Sequence, residues 1–441
     1  MIRLPVVLMF AVGLAGCAAR APNLPPLVPT GVQDRTGHGI RPLEQRPDGS
    51  LPVGVVLSDG VTEDEAVATA LWNNAQLAAD LSGLGLARAD LVEAGLLRNP
   101  SLQMLLPVGP KPFELSVLFP LEQLWQRPRR MAAARKQWEQ VAETLVQNGL
   151  DTARDARHAH AALLQAQERA RVAREAADLG REIAQLTDAR LRAGDISEIE
   201  ADLSRARAEM DGEQARRCGH DVVIARERLR FVLGLAPTDN LSSTPTDVVR
   251  AAPPPSDALR EQAWGARADL RAFELGVAAA AERAKWERSR LVALGAILSS
   301  KEVGSYGVRT GPGLSADVPV FRANAGGTAR ADAEVEQAAR RYAARRQLVD
   351  LEVGQARAAF VQSLDSLADW HDRVVPQLER ATEKARLAYK AGDISYLALL
   401  ETTRQWLDAR LHDVDLVAAV HRAAAELDRS VGARVTRGNL P

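Results

Sequence analysis

The chain has 441 residues, 46% of them hydrophobic and 26% charged, with 56 Lys and Arg against 57 Asp and Glu for a formal net charge of −1. This balance excludes both a disordered chain and a polytopic helical membrane protein, and it removes the electrostatic basis for nucleic acid as a partner. Aromatic residues make up only 4%, so the Ala- and Leu-rich apolar content predicts long, closely packed helices rather than thick aromatic-centred cores.

In chain order, residues 1–16 read as a secretory signal: Arg3 is followed by an apolar run too short to stay in a bilayer as a permanent helix. Leu14-Ala15-Gly16-Cys17 resembles a lipoprotein lipobox, in which the thiol of Cys17 is acylated. Cys218 is the only other cysteine, so acylation of Cys17 leaves no disulfide to form. Acyl chains hold a protein on a membrane face without spanning it, and Ala18 after the cysteine resembles lipoproteins sent to an outer membrane. Residues 17–60, rich in Pro and Gly and without apolar periodicity, predict a lipid-anchored extended tether.

A first unit covers residues 61–235. Thr62 and Glu65 form a capping-box pattern at the start of a helix expected to run to Leu97, where Asn99-Pro100 stops it. Phe113, Leu115, Val117 and Phe119 alternate with Glu114 and Ser116, and residues 101–121 read as a β-hairpin. From Arg129 to Ala193 no ending signal interrupts a helix of about 65 residues, roughly 97 Å long. Val172, Ala176, Leu179, Ile183 and Leu186 alternate spacings of four and three along it, a coiled-coil seam. Gly194-Asp195 breaks the helix, and Ser197 or Asp195 caps a return helix reaching "LRFVLGL".

After a Pro/Ser/Thr-rich connector at 236–257, the pattern repeats over 258–435, with a short tail at 436–441. A helix is expected from about Ser256 to Arg290, then a second β-pair in "LVALGAILSS" and "GLSADVPVF", with Leu314, Ala316, Val318 and Val320 on one face. A second helix of about 65 residues follows from Gly327 to Ala391. Its seam holds Phe360, Leu364, Leu367, His371, Val374 and Leu378, and Pro376 is expected to kink it. Gly392-Asp393 lies 198 positions after Gly194-Asp195, and Leu314 through Val320 match Leu115 through Leu121 at an offset of 199. Two unrelated segments would not hold both offsets, which identifies an internal duplication.

Each unit is therefore helix, hairpin, long helix, tight turn, return helix, with the hairpin and the turn separated by about 100 Å of helix. Four strands are too few to close a membrane barrel, for which about eight is the smallest number, so strands entering lipid must be pooled by several copies. This element order, together with Asn99-Pro100, "LSADVPVFRANAGG", the paired "AGDIS" turns, "FVLGL" and "AAVHRAAAELDR", resembles the TolC family of outer-membrane efflux channels. The short hairpins make it most similar to the CzcC-like cation-efflux branch. The resemblance covers nearly all of residues 60–435. It implies a mainly α fold of long antiparallel coiled-coil helices forming the α-barrel of a homotrimer, with two short β-hairpins per chain pooled into a twelve-stranded barrel. It implies a passive exit duct through the outer membrane, lipid-anchored with most of its mass in the periplasm. Its partners would be a periplasmic adaptor and an inner-membrane pump, and its cargo small solutes, divalent metal cations among them.

On the same resemblance Gly194, Asp195 and Ser197 with Gly392, Asp393 and Ser395 are the helix-hairpin tips where the adaptor docks. Glu198, Glu200, Asp202 and Glu401 fall where the family's acidic entrance rings lie, although Ala398 stands where a further carboxylate is expected. One departure is the stretch "SLQMLLP", about seven residues before the hairpin turn where a spanning strand needs about 9–11. A barrel-less, lipid-anchored coiled-coil scaffold or adaptor bridging the envelope is the alternative.

Chemistry-bearing constellations are sparse. His158 and His160 are two apart and cannot share a helix face to chelate a metal; His371 occupies a seam position; Cys218 reads as a buried small residue. No phosphate loop and no Ser/His/Asp set stands in a fitting context. The reading is of a protein that is not an enzyme, with no cofactor and no metal site.

Overall fold

The computed structural model describes residues 24–436 apart from 43–44, 46–49, 58, 109–111, 238–240, 304–305 and 322. The signal segment, the lipobox with Cys17 and residues 437–441 lie outside the described residues.

The stretch expected as an extended tether contains a helix, α1 (Leu27–Thr36), with Val28 and Val32 buried. The cause is tertiary. A Cβ on Gly149 would come within 2.8 Å of Val32, and one on Gly31 within 2.8 Å of Val146. Each glycine thus admits the other segment's valine, and this packing orders a segment of weak helix propensity.

Helix α2 (Glu63–Asn73) starts on the expected capping box: Thr62 Oγ1 accepts from the Glu65 amide at 3.3 Å and Glu65 Oε2 accepts from the Thr62 amide at 2.9 Å, an arrangement worth about 1 kcal/mol. The helix does not run on to Leu97. Asn74 is extended (φ −60°, ψ 119°), its Oδ1 accepts from the Leu77 amide at 2.9 Å and its Nδ2 donates to the Val232 carbonyl at 2.8 Å. It therefore ends α2 and caps α3 (Ala75–Gly95).

Strands β1 (Ser101–Leu105) and β2 (Glu114–Pro120) form the first hairpin. Helix α4 (Gln123–Ala193) has 71 residues and begins six earlier than expected, with Pro128 as its sixth residue; that is past the four amides that have no intrahelical partner, so proline there leaves one helical hydrogen bond unmade near the start of the helix. Helix α5 (Glu198–Leu233) ends at Gly234 (φ +64°).

The second half repeats these elements. Helices α6 (Ser256–Ala266) and α7 (Ala268–Arg288) have 11 and 21 residues, the lengths of α2 and α3. The break between them, where one helix was expected, falls at Arg267: its fully buried guanidinium donates to Glu352 Oε2 at 2.5 Å and to the Ser430 carbonyl at 3.1 Å. Strands β3 (Ala293–Glu302) and β4 (Val308–Asp317) follow. Val318 and Val320, expected on the strand face, lie beyond its end and are exposed.

Helix α8 (Ala325–Asp369) passes through a π-helical turn at Trp370–Val374 into α9 (Val375–Ala391). The widened turn directly precedes Pro376, whose ring would otherwise meet the carbonyl four residues back. Helix α10 (Tyr396–Val431) matches α5 at 36 residues and also ends on a left-handed glycine, Gly432 at φ +77°.

The chain divides into two compact units that cut across the tandem repeats. One comprises Leu81–Thr144 and Asp269–Arg345, with residues 24–27, and contains the sheet. The other comprises Val28–Asp80, Leu145–Ala268 and Arg346–Pro441 and contains both tight turns and the connector. In the latter, the first seam is filled by Val172 and Ala176 against Leu407, and by Ile183 against Tyr389, Tyr396 and Leu399. From the second seam Phe360 and Leu367 are buried with Val349, Val420 and Leu427. His371 is instead half-exposed and paired with Asp413. Among the described residues no helix is long and apolar enough to cross a membrane.

Candidate functional site: two helix tips and a two-faced sheet

Both tips are closed by the same local chemistry. Gly194 (φ +80°) and Gly392 (φ +86°) take the left-handed conformation that side-chain-bearing residues avoid. The amides of Asp195 and Asp393 donate back to the Arg190 and Ala388 carbonyls, both at 2.9 Å. The caps of the return helices are Ser197 and Ser395, whose hydroxyls accept from the amides of Glu200 and Ala398 at 3.3 Å. Of the two capping options at the first turn, the serine is the one used, because only it lies one residue before the helix.

Side chains join the two tips. Ile183 from α4 packs with Tyr389, Tyr396 and Leu399, and the two tyrosine rings lie 6.3 Å apart at 57°. The guanidinium of Arg190 stands 4.9 Å from the Tyr389 ring centroid and donates to the Tyr389 carbonyl at 3.3 Å. Glu182 accepts from Arg386 at 2.7 Å and from Lys390 at 3.0 Å. The Arg386 hydrogen bond, aided by Lys390, holds the Glu182 carboxyl below its ordinary pKa. Burial raises the Tyr389 phenol against the opposing pull of Arg190.

The acidic residues past the turns do not gather at one point. Glu198, Asp202 and Glu401 are exposed and Glu200 is half-buried. Asp202 shares Arg205 with Asp188, at 2.7 and 2.8 Å, and Glu401 accepts from Gln405 at 2.8 Å. His158 and His160 face different partners, the carbonyls of Arg422 and Val61. Cys218 is buried beside Ala170 and Ala173. Among the described residues no group of three His, Cys, Asp or Glu is placed to hold a metal.

The sheet has order β1-β2-β3-β4, all pairs antiparallel, with β1 and β4 as edges. Residues paired directly across strands share a face, so the register sorts the side chains. Leu102, Val117, Leu298 and Pro312 form one row; Met104, Leu115, Ser300 and Thr310 a second; Phe119, Ala296 and Leu314 a third; Leu294 and Ala316 a fourth. This face is apolar apart from the Ser300–Thr310 pair and, in the row at the hairpin end, Glu302 opposite Val308, and Leu102, Met104, Phe119, Leu298 and Leu314 on it are exposed. The other face carries Gln103, Ser116, Ser299 and Gly311 in one row and Leu105, Glu114, Lys301 and Arg309 in the next, with Lys301 on Glu114 at 2.6 Å. Leu118 and Ile297 are apolar exceptions toward its base. An apolar face and a polar face on one open sheet are what a barrel wall between lipid and water requires.

The outer-membrane channel OprN superposes with a TM-score of 0.72 at 20% identity, over 90% of this chain and 99% of that one. CusC, whose crystal structures concern folding and transmembrane channel formation, gives 0.72 at 18% identity over 89% and 99%. The Campylobacter jejuni CmeC outer-membrane channel gives 0.71 at 15% identity over 90% and 93%. The fold is that of outer-membrane channels. In sequence the chain is similar to the cobalt-zinc-cadmium resistance protein CzcC of Cupriavidus metallidurans, 26% identical over 386 residues, 84% of this chain and 90% of that protein. No family model matches the chain. The expected mainly α architecture and the resemblance to the TolC family stand on these superpositions and this relative.

Sequence reasoning did not single out Glu182, Arg190, Tyr389 or Tyr396. A signal was present: in a chain with four tyrosines, two flank the second "AGDIS" turn seven residues apart. The sheet's two faces were half visible, since alternation was clear in β2 but the partner of each residue depends on register.

Proposed function

We propose that the protein is a passive exit duct in the outer membrane of a Gram-negative bacterium, the outer component of a tripartite efflux or secretion system. The observation that carries this reading is the two-faced sheet with unpaired edges. One chain offers four strands, half the minimum for closure, and its edges require strand partners wherever lipid excludes water. Three copies pooling twelve strands satisfy that need and turn the polar faces toward a common lumen. A lipid-anchored scaffold has no use for such a sheet.

The clasped tips in this reading are the periplasmic entrance. Gly194, Asp195, Ser197, Gly392, Asp393 and Ser395 form the turns against which an adaptor protein docks, connecting the duct to an inner-membrane pump. Glu198, Glu200, Asp202 and Glu401, repeated by symmetry, concentrate negative potential and favour cations. CzcC is described as a cobalt-zinc-cadmium resistance protein, and likeness to it supports divalent metal cations as the exported class. Acylated Cys17 anchors each chain.

Conductance across a planar bilayer, together with projection images of the purified full chain, tests the reading. Ring-shaped trimers with a central lumen and a cation-favouring conductance are expected. A solitary particle without a lumen overturns it. Photo-cross-linkers beside Gly392 are expected to trap an adaptor in cells, and labelling confined to the β-hairpins overturns the docking assignment.

A further inference from the structure

Within the unit that contains the sheet, the sheet's helix end carries two kinds of exposed side chain. There β1 begins at Ser101, β2 ends at Pro120, β3 begins at Ala293 and β4 ends at Asp317. Just past that line Leu97, Leu124, Trp125, Leu291, Val292 and Phe321 are exposed. Val292 is extended (φ −124°, ψ 126°), so strand alternation places it on the apolar face with Leu294. The Trp125 indole N–H donates to the Ser289 carbonyl at 3.4 Å, and the residue stays 39% exposed. An indole bonded at its polar edge and uncovered elsewhere suits a membrane–water boundary. The apolar patch thus continues the sheet's apolar face beyond the last strand residue.

Four arginines stand beside it. Arg127 Nε donates to the Gly95 carbonyl at 2.7 Å, Arg130 Nε to that of Ala94 at 2.8 Å and Arg129 Nη1 to that of Lys285 at 3.0 Å. The C-terminal carbonyls of α3 and α7 therefore hold these three in place, while Arg127 and Arg129 are exposed and keep donors to spare. Arg98 is exposed and has no hydrogen-bond or ion-pair partner among the described residues, and none of the four is bridged to a carboxylate. Burial, with the like charges of Arg98 and Arg127, lowers the Arg130 pKa against the opposing pull of Glu93. Glu122, the other carboxylate on this stretch, is half-buried. Arg288 and Arg290 nearby are already paired, with Asp332 and Glu287. The four guanidinium groups are thus crowded positive charge in want of an anion.

We propose that this patch binds the headgroups of anionic phospholipids in the leaflet at the sheet's helix end. Arg98, Arg127 and Arg129 donate to the phosphate oxygens, and Leu124, Trp125 and Phe321 lie among the upper acyl chains. At 1.5 Å per residue Arg127 stands about 10 Å beyond Pro120 along the chain, a distance that the headgroup layer and a long side chain reaching toward it together span. The apolar residues decide between a lipid and a soluble phosphate, because only a lipid engages both kinds of side chain at once. The proposal rests on the duct reading, which puts the sheet in the membrane, and adds a lipid class which that reading does not name.

The test reconstitutes the full chain in phosphatidylcholine vesicles and follows the Trp125 fluorescence, isolated as the difference from Trp125→Phe, as brominated phosphatidylglycerol or brominated phosphatidylcholine replaces the host lipid. Half-maximal quenching is expected at about a tenfold lower fraction of the anionic lipid. Arg98→Gln, which breaks no contact within the chain, should reduce that preference about fivefold, and Arg98→Lys should keep most of it. Ion flux across the same vesicles is read alongside. Vesicles without flux overturn the duct reading and this proposal with it. Conducting vesicles in which both brominated lipids quench alike, or in which Arg98→Gln leaves the preference undiminished, overturn this proposal alone.

Discussion

Arg190, in the last turn of α4, lies over the ring of Tyr389 near the end of α9, with 4.9 Å between the guanidinium carbon and the ring centroid. The contact joins the first repeat's tip to the second's, and it doubles as a cap, because Arg190 also donates to the Tyr389 carbonyl at 3.3 Å. Arg190→Ala is expected to cost the tips about 1 kcal/mol. Amide exchange over residues 386–396 should quicken about fivefold while the global melting temperature barely moves. Unchanged exchange there would show that the clasp holds nothing.

The Glu182 bridge to Arg386 and Lys390 gives the tips an acid response. Its folded pKa is depressed, so its stabilisation is fully present above the unfolded value of about 4.3 and is lost as pH falls through the folded value. All three side chains are about one-third to one-half exposed, at 46%, 34% and 46%, which limits the effect to below about 1 kcal/mol. Amide protection near the tips, taken relative to the intrinsic exchange rate at each pH, should be insensitive to the Glu182 charge from neutral pH down to about 5 and should fall on acidification below about 4. Glu182→Gln should remove that acid step.

Left-handed glycines separate strain from overlap. A Cβ on Gly194 meets nothing within 4 Å and one on Gly392 meets only Arg190 at 3.7 Å, so alanine at either should cost about 1 kcal/mol, the backbone penalty alone. At Gly234 a Cβ would stand 2.2 Å from the Asn73 carbonyl oxygen. Gly234→Ala should therefore cost on the order of 3 kcal/mol. Chemical denaturation of the three variants side by side checks the ranking.

The sheet's faces predict opposite outcomes for adjacent residues. Leu298 lies on the apolar face and Ser299 on the polar one. If the apolar face meets lipid, Leu298→Lys should cost about 2–4 kcal/mol and Ser299→Lys almost nothing. The apolar rows extend from the level of Leu294 to that of Ser300, about 20 Å along a strand at 3.3 Å per residue and less once the strand is tilted. That is shorter than the usual apolar band of about 25 Å, which leaves a role for the proposed acylation of Cys17. A Cys17→Ala chain should stay on the outer membrane but yield to alkaline extraction more readily than the native chain. Adding Leu298→Lys should release it, and adding Ser299→Lys should not.

Much of this was legible before any coordinates. The capping box at Thr62, the glycine turns, the serine caps and the seam through Val172 and Ile183 depend on residues within a few positions of one another, and local chemistry is what a linear sequence displays directly. The matching lengths of α2 and α6, α3 and α7, and α5 and α10 carry the same duplication that the "AGDIS" turns announce. Where the reading departed from the structure, the deciding partner was far away in the chain. Asn74 ends a helix by holding Val232, Arg267 ends one by reaching Glu352 and Ser430, and α1 exists because Gly31 and Gly149 let two segments interlock. Strand register belongs to the same class, since a slip of one residue would have exchanged the sheet's two faces. Periodicity and capping thus determined the rods and their turns from sequence alone. Only tertiary packing decided where they break, which side chains join the two tips and how the strands' apolar residues line up across the sheet, because those depend on partners that no local pattern pairs.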